Sequence, residues 1–318
     1  MSVLYKRYCR LTIAEGKENS KAIDFSAFRV SFTISQSLKG EPRSAKIQIY
    51  NVNIETFSRI RQEGQKVILE AGYEGNHAII FQGDLIQRYR TKAESGNDTC
   101  LIIMASTADQ AHSYAVVNAS LPAGASPADI HQSILSEYGR YGVAKGFVPE
   151  LAQTKLTRGK VMFCPAKDAM STFCRTHQLQ YSYLDTGLAC VPVRETFPGK
   201  PFVLNERTGL IGTPEMSLDG LKVTSLLRPE IRLDTTLQIE NNSIFYDESY
   251  GTRKEGAEKK KKSGQKQGDV LDVDGVYKVI SLTHKGDTFG KNWYTEMNCV
   301  AANPSKTGNA KSSGKKEG

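Results

Sequence analysis

The sequence predicts an α+β protein that is mainly β, with two antiparallel β-barrel domains flanking a small α/β module. Three observations carry this expectation. Short runs in which apolar and polar residues alternate fill both ends of the chain, as strands with one buried face require. Helix start and stop signals are concentrated between those ends. The ends also echo one another: GDLIQRYRTKAESGNDTCLIIMA and GVYKVISLTHKGDTFGKNWYTEMNCVA both read as hairpins, preceded by GQKVILEAGY and RLDTTLQIEN respectively. The predicted boundaries are 1–115 for the first barrel, 116–203 for the module and 204–302 for the second barrel. A flexible basic loop at about 244–268 interrupts the second barrel, and 303–318 forms a disordered basic tail.

In chain order, strands are predicted at Tyr8 to Ile13, Phe28 to Ile34 and Ala45 to Tyr50. In the last of these, Ile47 and Ile49 share one face while Lys46 and Gln48 share the other. Ile54, Phe57 and Ile60 recur every three residues before Gly64, which predicts a short helix buried against the open end of the first barrel. Two or three strands joined by glycine turns follow over 65–92, and DTCLIIMA at 98–105 closes the unit. In the module, Ser126-Pro127 is a strong helix start, with Ile130, Ile134, Leu135 and Tyr138 on one face and Gly139 as the stop. A second helix is predicted from Pro165 to Gln178, with Ala169, Met170, Phe173 and Cys174 inward. A hairpin then turns at Asp185-Thr186-Gly187. From Leu204 to Glu240, turns at Thr208-Gly209, Gly212-Thr213-Pro214 and Asp219-Gly220 separate strand runs through Leu221, Val223 and Ser225, then Ile231, Leu233, Leu237 and Ile239. The last strands are Tyr277 to Thr283 and Trp293 to Val300.

The net charge of +8 invites a nucleic-acid reading until it is located. Residues 252–268 carry seven Lys or Arg against two Glu, and residues 302–318 carry four Lys against one Glu. These two polar segments hold the whole excess, so the rest of the chain is formally neutral. Cys9, Cys100, Cys164, Cys174, Cys190 and Cys299 include no CxxC pair, which argues against a zinc site or a disulfide scaffold and for reduced, mostly buried thiols. The N-terminus lacks an apolar signal region, and no stretch reaches the ~18 apolar residues of a membrane helix. Synthesis and folding in a cytoplasm are therefore expected.

Candidate chemistry is sparse. KGDTFGKN at 285–292 faintly resembles a phosphate loop, but its glycines are too close together and no Ser or Thr follows Lys291, so a polar hairpin turn is expected. Asp269, Asp272, Asp274 and Gly275 resemble a calcium loop, yet the first ligand position would be Val270 and the closing position Ser281. His77, His112, His131, His177 and His284 are dispersed, with His131 and His284 read as surface residues. Glu137, Asp168, Asp185 and Glu296 read as solvated carboxylates, and no serine lies in a GxSxG elbow. No catalytic residue, metal or cofactor is expected. Lys259, Lys260, Lys261 and Lys262 form the strongest charge feature. Without interleaved aromatic residues they offer phosphate neutralisation but no base stacking, so solubility and contact with DNA or another acidic surface both remain open.

Three stretches carry a resemblance. IQIYNVNIETFSRIRQEGQKVILEAGYEGNHAIIFQGDL has a strand, short helix and strand ending in a GY-turn-IFxG hairpin. RGKVMFCPAKDAMSTFCRTHQLQYSYLDTGLACVPV is the middle module. TGLIGTPEMSLDGLKVTSLLRPEIRLDTTLQIEN, followed by YKVISLTHKGDTFGKNWYTEM, is the most specific. Over roughly residues 6–302 the chain resembles the baseplate hub proteins of contractile-tailed bacteriophages, of the late-control D type, and the hub part of type VI secretion spikes. The resemblance implies two tail-tube-like barrels per subunit and a homotrimer with pseudo-sixfold symmetry. Such a trimer adapts a hexameric tail tube to a trimeric central spike. It further implies a tube or tube-initiator partner, a lumen passing tape-measure protein and DNA without sequence-specific binding, and a place in the virion after synthesis in the host cytoplasm. The alternatives are a cell-wall hydrolase of the tail tip or a nucleic-acid-binding protein acting through the polybasic loop.

Overall fold

A computed structural model describes residues 5–15, 21–60, 65–93, 98–217, 220–239, 245–246 and 275–301. The calcium-like aspartates 269, 272 and 274, Lys259 to Lys262 and the C-terminal tail lie outside them. Most of the described chain is strand. The first part contains β1 (Arg7–Glu15), β2 (Lys21–Asp24), β3 (Val30–Ser37), β4 (Ser44–Tyr50), helix α1 (Ile54–Arg59), β5 (Lys66–Tyr73), β6 (Asn76–Lys92) and β7 (Thr99–Ser106). Hydrogen bonding orders the strands β3-β4-β7-β6-β5-β1-β2. Alternation drives this: on β4, Ala45, Ile47 and Ile49 are buried, while Lys46 is exposed and Gln48 half-buried.

The middle part holds α2 (Asp109–Tyr114), β8 (Val116–Leu121), α3 (Pro127–Gly139), β9 (Lys160–Pro165), α4 (Ala166–Thr176), β10 (Leu179–Leu184) and β11 (Gly187–Pro192). Helix α3 starts where the sequence indicates, because Ser126 and Asp129 form a reciprocal capping box. Its buried face is Ile130, Ile134, Leu135 and Tyr138, together with His131. Helix α4 turns Ala169, Met170, Phe173 and Cys174 inward, as predicted. The β10–β11 hairpin turns at Asp185 and Thr186, and β8 pairs with β9 in a ribbon that local patterning does not announce.

The last part holds β12 (Phe202–Val203), a 3-10 turn at Glu206–Thr208, β13 (Leu210–Ser217), β14 (Gly220–Leu226), β15 (Thr236–Gln238), β16 (Phe245–Tyr246), β17 (Val276–Asp287) and β18 (Trp293–Ala301). Its strands run β15-β17-β18-β14-β13, which repeats the order β5-β6-β7-β4-β3 of the first part. The repeat holds in detail. Lys66 opposes Asp84 where Thr236 opposes Lys278, and Ile47 opposes Ile103 where Val223 opposes Met297. Each long strand also skips one isoleucine in its pairing with the next strand, Ile86 in β6 and Ile280 in β17.

Two local expectations are corrected. Helix α1 contributes no buried residue: Ile54 is 67% exposed, Phe57 only partly packed, and the fully buried Ile60 lies just past the helix end. One and a half turns cannot carry an inward stripe, so this helix lies over the core rather than in it. Ile231 and Leu233 are buried as expected but sit in turns, and only Thr236–Gln238 of that run forms a strand.

Among the described residues there are three hydrophobic clusters, and two of them draw residues from distant parts of the chain. The first gathers side chains of β1 to β7 around Phe81 and also takes in Leu227 and Trp293. The second is built by β13, β14, β15, β17 and β18 yet includes Leu38, Leu184, Ala189 and Val191. The third lies between α3, α4 and the β10–β11 hairpin.

Candidate functional site: the junction of the two β halves

The two β halves do not meet only through side chains. β3 pairs antiparallel with β17, from Ser31 opposite Asp287 to Ser37 opposite Ser281, so one hydrogen-bonded sheet runs through both halves. This ladder is the centre of the candidate site. At one end Arg29 forms an ion pair with Asp287 at 2.8 Å. Burial pushes the Asp287 carboxyl up, but Arg29 and the backbone N–H groups of Phe289 and Gly290 outweigh it and hold the group below the usual carboxylate range. Thr288 exchanges hydrogen bonds with the Val30 backbone, which fixes the register of the β17–β18 hairpin against β3. The 285–292 run is therefore the polar turn predicted for it.

Trp293 fastens the same end from inside. It is 3% exposed, packs edge-on to Phe32 at 5.6 Å between centroids, and donates from Nε1 to the Gly72 carbonyl at 3.1 Å. A side chain of the last strand thus completes the core of the first half.

His284 lies in mid-ladder opposite Ile34 and is buried, contrary to its reading as a surface residue. The reason is non-local: the neighbouring turn is exposed, but β3 and the loop carrying Arg232 cover the strand. Its Nδ1 meets Thr295 Oγ1 at 2.8 Å. Burial first, then the positive charges of Arg43 and Arg232, bring its pKa down to about 3, so the ring is neutral.

The middle module is pinned onto this ladder by Asp185. Expected as a solvated carboxylate, it stands between Arg43 and Arg232, at 2.8 Å from each. Arg43, itself buried, also donates to Gln36 Oε1 at 3.0 Å and to the Ile80 carbonyl, while Gln36 donates to the Tyr183 carbonyl at 2.9 Å. The β10–β11 hairpin is thereby tied to both halves at once. Gly40 has φ +79 and lies against the Tyr181 ring, where a Cβ would stand 2.2 Å from that ring, so only glycine permits this approach. Towards the other end of β17, Lys278 is buried and donates to Gln180 Oε1 at 3.0 Å and to the Pro192 carbonyl at 2.8 Å. Burial brings its pKa down to about 8, with Glu195 opposing weakly.

The remaining histidines are scattered among structural roles. His77 stacks on Tyr8 and meets Glu70, His112 meets the Tyr183 hydroxyl, and His177 packs on Phe173. His131, also expected at the surface, is buried because α3 turns that face toward α4; its Nε2 lies 3.8 Å from Cys190 Sγ. Cys174 stands 4.0 Å from Cys190, and all six cysteines are free thiols. Donation from Cys174, aided by His131, brings the Cys190 thiol below its ordinary value against the opposing effect of burial. Glu296 pairs with Lys285 and Glu137 with Arg140. Among the described residues, no group of three His, Cys, Asp or Glu side chains could hold a metal ion, and no helix is long and apolar enough to cross a membrane.

By sequence the chain matches no family model and no curated protein. By structure it is similar to the 43 kDa tail protein of prophage MuSo2 from Shewanella oneidensis, with TM-score 0.57 and 8% identity over 93% of this chain and 97% of that one. It has the fold of phage tail proteins. A tail protein from Neisseria meningitidis MC58 aligns with TM-score 0.51 and 9% identity over 93% of this chain and 97% of that one. The E. coli c3393 protein, a component of the type VI secretion system described as structurally similar to the T4 tail proteins gp27 and gp5, aligns with TM-score 0.55 and 9% identity over 86% of this chain and 73% of that one. At such identities the shared property is the backbone, and this agrees with the hub-like resemblance read from the sequence.

Proposed function

We propose that this chain is a structural baseplate hub of a contractile phage tail or a phage-derived injection machine. Three copies form a ring that adapts a hexameric tail tube to a trimeric central spike and encloses a passage for tape-measure protein and DNA. The repeat within the chain carries the reading: two β halves with one strand order, in a fold shared with tail proteins. Three such chains offer six similar β units to a sixfold partner while keeping threefold symmetry for the spike. The partners are then the spike, the tube or tube-initiator protein and the tape-measure protein, and the final location is the virion. The protein's work in this reading is geometric, which suits a junction whose charged groups are already engaged with one another.

Mass measurement of the purified protein, alone and with its spike protein, tests the reading. A threefold mass is expected in at least the mixture, with a ring in axial electron-microscopy views; a strict monomer in both conditions would overturn it.

A further inference from the structure

Cys174 and Cys190 have no part in the proposed ring, and their placement points to chemistry of its own. Cys174 lies on the inward face of α4 and Cys190 in β11 opposite Tyr181, with the two sulfurs 4.0 Å apart. His131 of α3 also reaches this pair, its Nε2 standing 3.8 Å from the Cys190 sulfur. Two thiols and an imidazole, from three different elements, thus meet inside the middle module.

The pair is buried but not sealed. Cys190 is fully buried and Cys174 is 3% exposed, yet Cys174 forms part of the wall of a cleft of about 1020 Å³ together with Ser171, His177 and Tyr181. A water-sized oxidant can therefore approach from the Cys174 side. The sulfurs need to close by about 2 Å to reach the ~2.05 Å of a disulfide bond. We infer that Cys174 and Cys190 form a reversible disulfide on exposure to a peroxide, and that this bond locks α4 to the β10–β11 hairpin.

The surroundings favour this pair over other buried thiols. Burial alone pushes Cys9 and Cys299 up to about 12, which keeps them as unreactive thiols. At Cys190, donation from Cys174 and the neighbouring imidazole outweigh burial and favour the thiolate. Cys174, the donor in that bond, is raised by it and by burial. Cys190 is accordingly the attacking sulfur and Cys174 the resolving one.

The step balances with one peroxide molecule. His131 Nε2 takes the Cys190 proton, and the thiolate attacks one peroxide oxygen. The O–O bond breaks, and the departing hydroxide takes the Cys174 proton and leaves as water. Cys190 is then a sulfenic acid. The Cys174 thiolate attacks its sulfur, the S–O bond breaks, and the second hydroxide leaves as water with the proton held by His131. Two thiols have lost two electrons to one peroxide, which ends as two waters.

The bond would be placed on a strand shared by two cores. Leu188 and Cys190 belong to the core of the module, while Ala189 and Val191 belong to that of the second half. Linking Cys190 to α4 ties the module to the strand on which the second half packs, and it restricts the unfolded chain between 174 and 190.

Peptide mapping of the unaltered full chain tests this. The protein is exposed briefly to dilute hydrogen peroxide, alkylated in denaturant and digested. The expected product is a linked pair of peptides carrying Cys174 and Cys190, lighter than the two free peptides by two hydrogens and lost on treatment with a thiol reductant. Cys9 and Cys299 should still be open to alkylation. The thermal midpoint should rise by a few degrees on oxidation and return on reduction. His131→Asn should slow the linkage several-fold without changing its product, and Cys174→Ala should leave a Cys190 sulfenic acid that dimedone captures. Cys174 and Cys190 still alkylated after other thiols have oxidised, or carrying higher oxides without a link, overturns the inference. Subunit mass is read separately, so this inference and the ring fail independently.

Discussion

The two β halves share strand order and register, yet corresponding positions have opposite surroundings. Lys278 corresponds to Asp84: the lysine is buried under the β10–β11 hairpin among neutral oxygens, whereas Asp84 forms a partly exposed pair with Lys66. His284 corresponds to Arg90, the first buried beside β3 and the second exposed. Trp293 corresponds to Thr99, a core anchor against a half-buried threonine. The difference teaches that a repeated backbone was specialised by what packs on it. The second half is the one covered by the rest of the chain, and its junction positions carry the groups that covering requires.

Substitutions at corresponding positions should separate the halves. Trp293→Ala removes an indole buried in the core of the first half and should cost about 3–5 kcal/mol. Thr99→Ala should stay within roughly 0.5 kcal/mol. Urea unfolding followed by circular dichroism checks both, and equal effects would mean that Trp293 does not join the halves.

Acid should discriminate next. His284 remains neutral in the folded protein down to about 3, whereas an unfolded chain protonates it near 6.5. Between these values the unfolded state binds the extra proton, so stability falls as pH drops from 6.5 to about 3, by ~1.4 kcal/mol per unit at most. His284→Asn should flatten that slope in denaturant titrations across the window, and Arg90→Asn should leave it unchanged.

The smallest effect is expected at the alkaline end. Lys278 loses its proton near 8 in the folded protein and near 10.5 when unfolded, so its contribution makes stability rise as pH climbs through that interval. Lys278→Met exchanges the buried ammonium for a hydrocarbon and leaves the Pro192 carbonyl short of a donor, opposing changes that should net within about 2 kcal/mol. Its signature is the loss of the rise between 8 and 10.5, read from thermal midpoints; an unchanged slope would mean that Lys278 is not the group responsible.

Reading the sequence recovered what local chemistry controls. Alternation located β4, β14, β17 and β18, the Ser126-Pro127 signal located α3, and glycine turns located the hairpins. GQKVILEAGY and RLDTTLQIEN do hold corresponding strands, β5 and β15, each paired with the long strand of its half, although the two segments match with an offset of two residues. Failures were concentrated where burial is decided by partners distant in the chain. His284 stands beside a polar turn and looks solvated until β3 and the loop carrying Arg232 arrive. Asp185 keeps the exposure expected of it, but its two arginine partners are not legible from its own turn.

The sequence by itself therefore determined the mainly β character, the repeated halves and the helical module, since these follow from periodicity and capping within a few residues. Only the tertiary structure decided that the halves share one sheet through β3 and β17, that Asp185 is held between two arginines, and that no described strand pairs with β6 beyond Asp84 on the side away from β7. Backbone hydrogen bonds between distant strands use the same N–H and C=O groups at every residue, so the sequence does not mark which edges are paired and which are left open.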